Sequence, residues 1–129
     1  HALISNGMAN STALFRKDIA QAMGFYDESL SQFADWEFWL KIGLKGKLYN
    51  FQDYFTAYTM WPGGSSFSKQ HETARSAVRI VFRYRSRYPG FWLALPYVTG
   101  YLIYAYIPEW FKRHWNPLLS RLKKKLFSA

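Results

Sequence analysis

Phe33-Ala34-Asp35-Trp36-Glu37-Phe38-Trp39-Leu40-Lys41 packs rings and carboxylates more densely than any other stretch of the chain. Trp36, Trp39, Leu40, Gly43 and Leu44 recur at helical spacing, which predicts a helix over 34–45 ended by Gly46. Asp35 and Glu37 fall at its start, where free backbone N–H groups and the helix dipole favour carboxylates. On residue type alone, a capping role is the simpler reading of Asp35. What surrounds the helix decides whether chemistry is a better one.

Upstream, residues 8–15 run from small and polar to apolar and predict a short strand. Arg16-Lys17-Asp18 opens a helix through Met23, and Gly24 closes it at the position where glycine is least strained. Phe25 to Ser31 predicts a loop. Downstream, 48–51 and 54–61 are rich in Tyr, Phe and Thr and predict two strands. Pro62-Gly63-Gly64-Ser65-Ser66 breaks the chain. A long basic helix is expected over 68–88, stopped by Pro89-Gly90. Arg75, Arg79, Arg83 and Arg87 recur every fourth residue along it, which suggests one cationic face.

Residues 91–108 then carry no formal charge over 18 positions, the lower limit for a membrane span of roughly 20. Lys112 to Phe127 alternates Trp115, Leu118, Leu119, Leu122 and Leu126 with cations, the pattern of a basic helix lying on anionic lipid. The division expected is therefore 1–89 as one folded portion and 90–129 as a membrane-associating helical tail.

Composition narrows the function classes. The 129 residues suffice for one domain with a core. Six Trp, ten Tyr and eleven Phe suit sugar stacking and membrane interfaces as well as an ordinary aromatic core. With no cysteine, disulfides and thiolate metal sites are excluded. His1, His71 and His114 are too scattered for a metal-ligand spacing. The net charge of +9 is uneven: from Arg75 onward there are eleven Lys and Arg against one acid, Glu109. That half of the chain suits an anionic neighbour. Because Ala2-Leu3-Ile4 reads as the inside of something, the chain is expected to be a piece of a longer protein.

Arg16-Lys17, the Gly24 turn, Asp35-Trp36-Glu37 at a helix start and the Gly46-Lys47 exit, in that order, resemble the acceptor-side half of a family 2 inverting glycosyltransferase. The resemblance covers about residues 5–75 and rests on order and spacing more than on any one motif. It implies an α+β fold: the C-terminal part of a GT-A type α/β domain with few short strands and several helices. In that family the base is the Asp of a Glu-Asp pair followed by an aromatic residue and a second acid. Here Ala34 replaces the Glu, and Asp35 takes the base position.

By the same resemblance Asn10 and Ser11 lie near the donor sugar, and Trp36, Glu37, Trp61 and Ser66 contact substrate. Gly63 and Gly64 would let the loop bearing Trp61 move as a lid, though a hairpin end explains them as simply. Many relatives carry an Arg-x-His segment where this chain has Tyr58-Thr59-Met60-Trp61. The family's Asp-x-Asp, which holds a divalent cation (Mg or Mn) against the donor diphosphate, is absent here, so the metal belongs to the intact protein.

The implied activity is transfer of a sugar from a nucleotide donor to a lipid-linked surface glycan. The implied location is the cytoplasmic face of a bacterial inner membrane, peripheral or single-span, with an anionic membrane surface as partner and no nucleic acid. Two alternatives use the same basic half: a non-catalytic peripheral membrane-binding module, and a basic nucleic-acid-binding domain.

Overall fold

A computed structural model of the chain describes residues 2–57, 59, 69–108 and 110–112. Four α-helices are described: α1 Lys17–Ala22, α2 Ala34–Gly43, α3 Gln70–Arg83 and α4 Phe91–Tyr106, with a 3₁₀ turn at Asn10–Thr12. No strand occurs among the described residues, so the expected α+β fold is corrected to an all-helical one.

The reasons are local. Asn10-Ser11-Thr12 folds into a tight turn in which Thr12 N–H and Oγ1 both reach the Ala9 carbonyl, a competition with extended pairing that short polar side chains favour. Residues 48–57 have strand-like composition, but among the described residues no second strand accepts their ladder bonds, and β propensity has little force without a pleated neighbour. Their rings pack on each other instead, Tyr49 against Phe51 at 5.3 Å and Phe51 against Phe55 at 5.8 Å between centroids.

α2 is the centre of the fold and is apolar on both sides. Trp36 and Leu40 join Leu3, Leu30, Ile80, Val81, Tyr84 and Val98 in one cluster beneath α3 and α4. Phe38, Trp39 and Ile42 face the other way, against Ala20 of α1. Between these two faces the helix carries Glu37 and Lys41 one turn apart, so it is apolar on two faces and not all round. α1 ends as Gly24 predicts. Gly24 is left-handed (φ 74°), and the Phe25 N–H donates back to the Ala20 carbonyl.

α3 buries Thr73, Ala74, Ala77, Ile80 and Val81 at helical spacing and pairs with α4, which presents Ala94, Val98 and Ala105. The two run antiparallel: Arg75 near the start of α3 meets Tyr106 at the end of α4, and Phe82 meets Phe91. Small residues at the seam let the backbones approach. Pro89-Gly90 makes the reversal, with Gly90 left-handed (φ 90°) just before α4. No helix among the described residues is long and apolar enough to cross a membrane.

Candidate functional site

Asp35 is the second residue of α2, after Phe33 at the N-cap position and Ala34. It is half-buried, and each oxygen has one partner. Oδ1 accepts the backbone N–H of Trp36 at 2.8 Å, and Oδ2 accepts the side-chain amide of Asn6 at 2.9 Å. The first contact satisfies a free N–H of the first turn from inside the helix, whose N-cap position, Phe33, makes no side-chain capping bond. The second comes from a residue 29 positions away and aims the carboxylate. Phe33 sits in the left-handed region (φ 61°), a costly conformation for a bulky residue that here begins the helix bearing the acid. Its ring meets Trp36 edge-on at 5.5 Å.

Two cavities of about 280 Å³ each flank this point. Ser5, Asn6 and Trp36 line both and form the partition between them. One cavity extends past Gly7, Met8 and Trp39 to Leu48 and Asn50, and the other towards Phe33, Tyr97 and Tyr101. Asp35 itself lines neither; it reaches them through Asn6. Trp36 is held by its indole N–H, which donates to the Ala2 carbonyl at 2.8 Å. The buried indole N–H of Trp39 has no partner among the described residues. An orphaned donor of that kind costs on the order of 1–3 kcal/mol and calls for an acceptor.

A third cleft of about 410 Å³ continues from Gly7, Met8 and Asn50 to Asp53 and the exposed rings of Tyr49, Phe51, Tyr54 and Phe55. The Asn50 side-chain amide ties this aromatic segment to the Gly7 carbonyl at 2.7 Å. The Tyr, Phe and Thr content of 48–51 and 54–61, which predicts strands, is the local signal these residues carry, and it does not point to a cleft.

Of the other expected site residues, Glu37 is corrected. It is 2% exposed and faces α3, where its Oε1 accepts from the Tyr84 hydroxyl at 2.7 Å and from Arg83 at 3.3 Å. Its Oε2 pairs with Lys41 Nζ at 3.3 Å, a charge contact without hydrogen-bond alignment. Glu37 is therefore a buried structural acid. Burial, and then the bond to Glu37, push the Tyr84 hydroxyl well above its usual pKa.

Trp36 is buried, and the little of it that is exposed lines both cavities. Asn10 and Ser11 are exposed on the 3₁₀ turn. Asn10 accepts from the Tyr26 hydroxyl at 3.0 Å, and neither residue lines a cavity with Asp35's partner Asn6. Trp61, Ser66 and the Gly63-Gly64 loop lie outside the described residues, as does most of the Lys112–Phe127 tail.

The arginine row is also corrected. A four-residue step advances about 400° around a helix, so each arginine drifts about 40° from the last. Arg75 turns to the Tyr106 hydroxyl, whereas Arg83 turns the other way to Asp27 and Glu37. Among the described residues no group of three acids or histidines could hold a metal ion. Neither a protein-family model, nor a curated protein, nor a solved structure matches the chain.

Proposed function

We propose that the chain supplies the acceptor side of a nucleotide-sugar-dependent glycosyltransferase, with Asp35 as general base. One observation supports this most: a half-buried carboxylate is aimed by Asn6, and Asn6 also lines two cavities walled by Trp36. In the proposed step the acceptor hydroxyl oxygen forms a bond to the anomeric carbon. The bond from that carbon to the donor diphosphate breaks, the diphosphate leaves with the electron pair, and the hydroxyl proton passes to Asp35. A nucleotide-sugar and a glycan acceptor are the partners this reading requires, and any divalent cation is held by residues other than those described.

The test is transfer of labelled sugar by the natural protein that carries this chain, from nucleotide-sugars to extracted membrane glycolipid. Asp35→Asn is expected to lower turnover by about 10²–10⁴-fold, the usual contribution of a general base, while donor binding survives. Undiminished turnover would remove Asp35 from the base role. Absence of transfer from every nucleotide-sugar by the unaltered protein would remove the reading itself.

A further inference from the structure

α4 has two unlike sides. One packs Ala94, Val98 and Ala105 against the core. The other leaves Trp92 80% exposed, Leu93 60%, Tyr97 64%, Ile103 61% and Tyr106 52%, with no charged residue anywhere from 91 to 108. Single exposed apolar side chains are ordinary, but a whole helix face of them marks an interaction surface. The adjoining edge of α3 decides what it meets. Arg75 binds Tyr106 there and Phe82 packs on Phe91. Arg79 is exposed about 40° round the helix from Arg75 and about 60° from Phe82, which leaves it beside that edge, and Arg85, just past the end of α3, donates to the Phe82 carbonyl. α3's one acid, Glu72, is within 4.0 Å of Lys69 and offers little to offset these cations.

We infer that the exposed face of α4 and the arginine edge of α3 together form a docking surface for an anionic lipid bilayer, with α4 lying in the plane of the interface. The in-plane orientation follows from three observations. α4's 16 residues extend about 24 Å, short of the roughly 30 Å hydrocarbon core. Its inner side is committed to α3. Pro96 removes the N–H that a regular α-helix would offer the Trp92 carbonyl, and an interface supplies water that can take its place. Aromatic rings that bury an apolar body and keep a polar tip wet suit that depth. This inference does not rest on the glycosyltransferase reading.

The test is co-flotation of the full chain with vesicles of phosphatidylcholine and phosphatidylglycerol, against vesicles of phosphatidylcholine alone. The chain is expected to float with the anionic vesicles and to release as salt is raised. Trp92→Ser with Ile103→Ser changes only exposed positions, so the fold is spared. It is expected to weaken binding by on the order of tenfold or more, and Arg79→Gln by about fivefold. Since the chain has no cysteine, spin labels at Ile103→Cys and, as control, Glu28→Cys report depth directly. Burial in lipid of the label at 103, and not of that at 28, supports the surface. No flotation overturns it. So does flotation unaffected by the double substitution, which would assign binding to the basic tail. So too does a dimer in solution that the double substitution dissociates while vesicles capture neither form.

Discussion

Asp27 shows how one carboxylate ties a loop to the helical core. Ser29, and then Arg83, hold it by hydrogen bonds, which brings its pKa from 3.8 down to about 2. Because the folded value is the lower one, its contribution to stability is complete above about pH 4 and is lost as pH falls through about 2. Urea midpoints measured across that range should therefore decline in the unaltered chain, with a shallower decline in Asp27→Asn. Equal slopes would mean that Asp27 is not linked to folding. Asp35 and Glu37 differ in how legible they were. That both acids begin a helix could be read from spacing alone. Which of the two meets Asn6 and which is buried against α3 depended on where α3 lies, since two residues apart on a helix is about 200° of rotation.

At the scale of elements, α2 and the segment after α3 meet at Gly43. A Cβ there would stand 2.5 Å from the Tyr88 hydroxyl, which donates to the Leu40 carbonyl at 2.8 Å. Gly→Ala within a helix is ordinarily stabilising by about 1 kcal/mol. Here Gly43→Ala is expected to destabilise by about 1 kcal/mol instead, because it displaces that hydroxyl from its bond. In a Tyr88→Phe background the hydroxyl is gone and the same substitution should become neutral or favourable. Additive effects in this double-mutant cycle would exclude the contact. The helices were largely visible in the sequence because apolar spacing and Gly24, Pro89 and Gly90 are local signals. The strands were misread at the same scale: a strand exists only with a partner, and no window of residues 48–57 says whether one is present.

For the whole molecule, α2 joins two clusters that share no other helix. Phe38 is fully buried in the cluster against α1. Phe38→Ala should cost about 3–5 kcal/mol, a large part of the roughly 5–15 kcal/mol that holds a domain. If α2 couples the clusters into one cooperative unit, hydrogen exchange at the buried α3 residues Ile80 and Val81 should quicken by the same free energy. Exchange there left unchanged would show that the α1 side opens alone. The same arrangement relates the two proposed surfaces, because Tyr97 both belongs to the exposed face of α4 and lines the cavity bounded by Asn6.

By itself the sequence determined the basic half, the uncharged run after Gly90, the helix starting at Ala34 and the acid placed in its first turn. These follow from residue type and from a repeat shorter than one heptad. Only the tertiary structure decided that Asn6 aims Asp35, that Glu37 serves the α2–α3 contact, and that Arg75 and Arg83 turn to different partners. Each of those is a contact between residues 29 or more positions apart, or the consequence of one. Such contacts depend on which helix faces are left to pack once the apolar ones have met, and local spacing carries no record of that.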